Sequence, residues 1–178
     1  MFSAVSDDPI LRENRRTEVA RRLISHGVRT RLITRLTGLT RNRLATVRRR
    51  LMVRSKARRR GPTKSSLDLF LGTPRARAEG AALVSLCAVF CIPIERHGLS
   101  LPKNISLEFT ERLCETYEAY CACFPQTEME LEELILLRDT LAQGDELQLG
   151  KCRVCRCLIL IDRFDGTHRN CPQCEAGI

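Results

Sequence analysis

Residues 29–53, RTRLITRLTGLTRNRLATVRRRLMV, carry two helical patterns around one turn. Leu32, Ile33 and Leu36 share one face of a helix expected from about Arg29 to Thr37. Gly38-Leu39-Thr40 reads as the turn, with Thr40 placed to cap the next helix through its hydroxyl. That helix is expected from Arg41 to about Val53, with Leu44, Val47 and Leu51 three and four apart. Leu36, Leu39, Leu44 and Val47 would then form a small core between the two helices. The spacing predicts a helix-turn-helix-like unit.

Upstream, TEVARRLISH at 17–26 places Val19, Leu23 and Ile24 on one face, and Gly27 can end that helix. Residues 1–16 show no periodicity and are expected to form a flexible arm. Downstream, RSKARRRGPTKSS at 54–66 reads as a basic linker broken at Gly61-Pro62. GPTKS is not a phosphate-binding loop, since no glycine stands at the required distance before Gly61.

Charge separates the same regions. The chain has 178 residues and a formal net charge of +9. Residues 1–64 hold 19 Lys/Arg against 4 Asp/Glu, whereas residues 65–178 hold 11 against 17. No acidic residue occurs between Val19 and Leu67, a stretch with sixteen Lys or Arg. A cationic half of this kind implies a polyanion partner, double-stranded DNA in a helix-turn-helix context. With Leu44, Val47 and Leu51 inward, a step of about 100° per residue turns Asn42, Thr46 and Arg49 to the opposite face. Arg can bond bidentately to guanine and Asn to adenine in a major groove. Arg43 and Arg50 lie on one flank and Arg41 and Arg48 on the other, where phosphate walls would run; Arg31 and Arg35 of the preceding helix can reach the backbone too.

The middle of the chain, 61–146, reads as a helical core and partner-binding region. Helices are expected at about Arg75–Phe90, Ser106–Phe124 and Glu128–Ala142, with loops near 93–105 and 143–151. Phe109, Leu113, Tyr117, Tyr120 and Phe124 make one stripe of the second. Thr127-x-x-Glu130 reads as a capping box opening the third. Cys87, Cys91, Cys114, Cys121 and Cys123 are read as small buried hydrophobes rather than a second metal site.

After Gly150 the pattern changes. Cys152-x2-Cys155 and Cys171-x2-Cys174, fifteen residues apart, have the spacing of a structural zinc site. Four thiolates close a tetrahedron around one Zn²⁺ and leave no open position for substrate. Leu158–Ile161 supplies β-formers and Asp165-Gly166 a turn, so 147–178 is expected to be a zinc ribbon. Cys157 and His168 stand nearby as alternative ligands. Arg153, Arg156, Arg163 and Arg169 decorate the ribbon and would either touch phosphate or keep a small module soluble.

Asp7, Asp8 and Pro9 interrupt the N-terminus where a secretory signal would be apolar, and a reducing cytoplasm favours metal over disulfides. The longest apolar run, Ala81–Ile94, is too short to span a bilayer. No catalytic constellation is visible, so no enzymatic activity is expected.

Five strings, LISHGVR at 23–29, LTRNRL at 39–44, SLDLF at 66–70, YEAYCACFP at 117–125 and LQLGKCRVC at 147–155, resemble the FlhC family in content and order. These are subunits of the bacterial flagellar master transcriptional regulator. The resemblance covers nearly the whole chain from about residue 17. It implies a mainly α fold and a cytoplasmic, zinc-containing DNA-binding activator. It further implies a hetero-oligomer with an FlhD-type subunit on flagellar operon promoters, and RNA polymerase as a further partner. The family's zinc ligands fall on Cys152, Cys155, Cys171 and Cys174. The chain departs from the family in lacking tryptophan and in the arginine density of 41–60. The competing reading is an RNA- or ribosome-associated zinc-ribbon protein, which the lack of surface aromatics for base stacking disfavours.

Overall fold

A computed structural model describes residues 8–51, 67–94, 105–166 and 168–177. Among them are eight helices and one two-stranded sheet, so the fold is mainly α, with the C-terminal cysteines drawn together. The basic linker 54–66, the interior of the 93–105 loop and the first seven residues lie outside the described set.

Two compact units are present. The first contains α1 (Pro9–Ser25), α2 (Thr30–Thr37), α3 (Arg41–Arg50) and the start of α6 (Leu107–Cys123), up to Cys114. All three N-terminal helices touch one another. Their shared core is Val19, Ala20, Leu23 and Ile24 of α1, Ile33 and Leu36 of α2, Leu39 of the turn, and Leu44 and Val47 of α3. Gly38 ends α2 in the left-handed region, φ 72°, a conformation glycine adopts without strain. Thr40 caps α3 as expected, its Oγ1 accepting from Arg43 N.

The N-terminal arm is a correction. From Pro9 onward it is helix, because Asp8 caps it by accepting from Ile10 N at 2.8 Å and Pro9 sits at the first helical position. The added turns are polar, and periodicity gave no sign of them. Ion pairs hold them instead: Arg15 with Glu111 of α6 and Glu13 with Arg43 of α3. Thr110 of α6 also donates to Leu36 O at 3.1 Å, tying the start of α6 to this unit.

The second unit holds the remainder of α6 with α4 (Asp68–Leu71), α5 (Pro74–Val89), α7 (Leu131–Gln143), β1 (Leu147–Lys151), β2 (Leu158–Asp162) and α8 (Pro172–Glu175). α5 packs against α4, α7, α8 and β2. Gly80 permits the approach to the sheet, since a Cβ there would stand 2.7 Å from Leu160 Cδ1. The antiparallel hairpin pairs Leu147 with Asp162 through to Lys151 with Leu158. Residues 147–151, expected in a loop, are therefore strand β1. Leu147 is fully buried, and α7 packs against the strand.

The capping box of α7 lies three residues later than expected. Glu130 is the N-cap, and Glu133 accepts from its backbone amide at 2.9 Å. Thr127 is used elsewhere: its hydroxyl donates to buried Glu79 at 2.9 Å and lies 2.8 Å from the Tyr120 hydroxyl. Tyr120 and Arg75 also donate to Glu79, at 2.7 and 2.6 Å. Burial alone would raise the Glu79 pKa, but these three hydrogen bonds outweigh it and hold the carboxyl below the usual glutamate range.

Candidate metal centre and candidate nucleic-acid interface

The candidate metal centre grows out of the hairpin. Beyond the last strand pair, Lys151 with Leu158, Cys152 N donates to Cys157 O at 2.8 Å and continues the ladder by one rung. Arg156 N turns back to Cys152 O, and Arg156 adopts φ 65° to close the loop. The first cysteine pair thus rides on the hairpin end. The second sits on α8, where Cys171 is the N-cap and accepts from Cys174 N. Ile159 and Ile161 of β2 back the buried thiols of Cys152 and Cys171, and Cys174 packs against the same cluster.

The sulfurs of Cys152, Cys155, Cys157 and Cys171 lie within 4.8 Å of one another, and those of Cys155 and Cys171 are 3.6 Å apart. This group is compatible with a single metal ion. Three of the spacing-derived ligands, Cys152, Cys155 and Cys171, are in it; Cys157 completes it. Cys174 interacts with Cys171, Cys155 and Cys152. Five thiols therefore meet at one place. Sequence spacing favoured the symmetrical pairs, yet the ladder rung puts Cys157 opposite Cys152. The signal for it was the Cys155-x-Cys157 step just before a strand.

The donor set suits a soft divalent cation. Cys171 N donates to Cys152 Sγ at 3.3 Å. This bond, aided by other backbone amides of the loop, lowers the Cys152 pKa to about 6. The Cys174 amide lowers that of Cys171 likewise. His168 stands apart from the sulfur group, with Nδ1 3.3 Å from Glu175, which also binds Arg77 at 2.5 Å.

Of the remaining cysteines, Cys87 and Cys114 are buried, and burial pushes the Cys87 thiol up to about 12. Cys91 and Cys123 are exposed, contrary to the packing expectation, because each falls at the end of its helix or just past it. Among the described residues these five join no second metal-ligating group.

The basic face belongs to the first unit. Arg31, Arg35, Arg41, Asn42, Arg43, Arg49 and Arg50 are exposed, while Thr46 and Arg48 are half-buried. Thr46 donates to Asn42 O, and Arg49 donates to Thr46 Oγ1 at 3.3 Å, so Asn42, Thr46 and Arg49 stand linked on one face. Arg43 is engaged with Glu13 at 3.3 Å. Arg48 departs from its expected place among the flanking phosphate contacts: it reaches back toward Val28 O at 3.4 Å and ties α3 to the α1–α2 turn. A cleft of about 250 Å³ between α1 and α3 is lined by Arg43, Thr46 and Arg50, but also by Thr17 and Arg21 of α1. Sequence reasoning did not place these α1 residues at the face, because only the α1–α3 packing brings them there.

On the ribbon, Arg153, Arg156, Arg163 and Arg169 are all exposed. Arg163 also bonds to Gly144 O, just before β1, and Arg169 to Gly166 O, in the turn that follows β2. No described helix is long and apolar enough to cross a membrane. No protein-family model matches the chain, and no curated protein matches it at a significant level.

Proposed function

We propose that this chain is a zinc-stabilised, DNA-binding transcriptional activator of the FlhC kind, working in the cytoplasm in a hetero-oligomer with an FlhD-type subunit on flagellar operon promoters. The observation that carries it is the α2–turn–α3 unit: a packed apolar interior with Asn42, Thr46 and Arg49 linked on the outer face of α3. Such a face suits direct reading of base edges, and the surrounding arginines suit phosphate. Zinc is the metal the thiol group fits best, because thiolates select soft cations and a four-sulfur tetrahedron needs no redox change. Cys152, Cys155 and Cys171 would hold it, with the fourth position filled by Cys157 or Cys174. When bound, the ion would lock the hairpin end to α8; this chain's own arginines and Asn42 would do the recognition.

Footprinting of a flagellar promoter with this chain and a co-purified FlhD-type subunit tests the reading. Discrete protection of the promoter, absent from a scrambled duplex, is expected. Uniform protection of both duplexes, or protection of structured RNA in preference to either, would overturn it.

A further inference from the structure

Five thiols converge where a tetrahedral ion takes four. Cys152, Cys155 and Cys171 belong both to the closest sulfur group and to the paired spacing, so the fourth position is contested between Cys157 and Cys174. Their surroundings differ. Cys174 is half-buried and packs against the core of Cys152, Ile159, Ile161 and Cys171. Cys157 is exposed at the mouth of the hairpin loop. If the better-packed thiol keeps the ion, Cys157 is left over, exposed to solvent, and still within 4.8 Å of coordinated sulfurs.

A cavity of about 190 Å³ opens beside it, bounded by α5, β2 and the Asn170–Gln173 segment, with both Cys157 and Cys171 in its wall. Arg77 and Asn170 also line it, and Arg77 Nε and Asn170 Oδ1 are buried with no protein partner. The cavity therefore combines room for a small polar molecule with two adjacent thiols in its wall.

We propose that Cys157 is a modification site: the thiol through which small hydroperoxides oxidise the metal centre, closing a disulfide with Cys171 and expelling the ion. The proposal rests on the metal reading above. Cys157 sulfur attacks the hydroperoxide; an S–O bond forms, the O–O bond breaks, and water or an alcohol leaves. Cys171 sulfur then attacks the oxidised sulfur, an S–S bond forms, and the hydroxyl departs as water. Two thiols lose two electrons and one hydroperoxide gains them. Cys171 is the partner rather than Cys155, because Cys155 and Cys157 are separated by one residue and their bridge would close a small strained ring. With Cys157 and Cys171 oxidised, three thiols at most remain for the ion, and the bridge takes its place in holding α8 to the hairpin end.

The test loads the full-length protein with Zn²⁺, adds hydrogen peroxide, and follows zinc release with a metallochromic dye and disulfides by peptide mass mapping. Wild type is expected to retain one zinc at rest, then to release it together with a Cys157–Cys171 bridge, reversibly on reduction. Cys157→Ser and Cys157→Ala are expected to retain one zinc and release it about ten-fold more slowly. Loss of zinc from both unoxidised variants would make Cys157 a required ligand and overturn the proposal. Release as fast as wild type, or a bridge without Cys157, would overturn it too. Failure of wild type to retain any zinc would instead defeat the metal reading beneath it.

Discussion

The Cys152 amide donates to the Cys157 carbonyl at 2.8 Å, so two cysteines of the thiol cluster form the last rung of the β1–β2 ladder. Local hairpin geometry thus couples the thiol cluster to the strand register. A one-residue slip of the hairpin would turn Ile159 and Ile161 away from the core and move Cys157 from its place opposite Cys152.

Metal removal should therefore melt the ribbon first. With a strong chelator, amides of Leu147–Lys151 and Leu158–Asp162 are expected to exchange rapidly, while those of α1–α3 stay protected. Cys152→Ser should do the same without chelator. Structural zinc sites contribute on the order of 10 kcal/mol of apparent binding energy, so the loss should be complete rather than partial. Unchanged hairpin protection in metal-free protein would count against a structural metal.

On the basic face, Arg49→Ala and Asn42→Ala should lower affinity for the promoter by about 1–3 kcal/mol while leaving scrambled DNA nearly unaffected. Arg50→Ala should weaken both equally and reduce the salt slope by roughly one. Arg48→Ala, which loses a contact to Val28 O, should act on the melting temperature more than on binding. Competition titrations against both duplexes separate these effects.

The Glu79 network predicts a pH dependence. The folded carboxyl is held below its ordinary value, so its contribution is present above the unfolded glutamate pKa and is lost as pH falls through the folded one. Glu79→Ala leaves the Tyr120 and Thr127 hydroxyls without their acceptor and should cost about 1–3 kcal/mol at neutral pH. The difference between variant and wild type should shrink on acidification. Urea midpoints measured from neutral pH down to about pH 4 would show this; a constant difference would contradict it.

Gly38→Ala places a side chain at φ 72° with no steric contact within 4 Å, so its cost is backbone strain alone, about 1 kcal/mol. A lowered melting temperature with unchanged zinc content is expected. A melting temperature at or above that of wild type would mean the α2–α3 turn adopts another conformation.

The apolar spacing of residues 17–51 was enough to place three helices, the Gly38 turn and the Thr40 cap, because one buried face repeats at helical period. The first turns of α1 were illegible, since charged residues pair with Glu111 and Arg43 partners that spacing cannot disclose. Thr127 misled for a related reason: a capping-box pattern was present, but the buried Glu79–Tyr120 pair claims its hydroxyl. At the metal centre, spacing found three thiols of the closest group. Cys157 needed the hairpin rung, a pairing between strands rather than a motif.

The most direct measurement is a titration of a fluorescent flagellar-promoter duplex with the zinc-loaded chain, with and without a co-purified FlhD-type subunit, at several salt concentrations against a scrambled duplex. The account predicts partner-dependent preference for the promoter, with affinity falling steeply as salt rises. Equal, weak and partner-independent binding to both duplexes would contradict it.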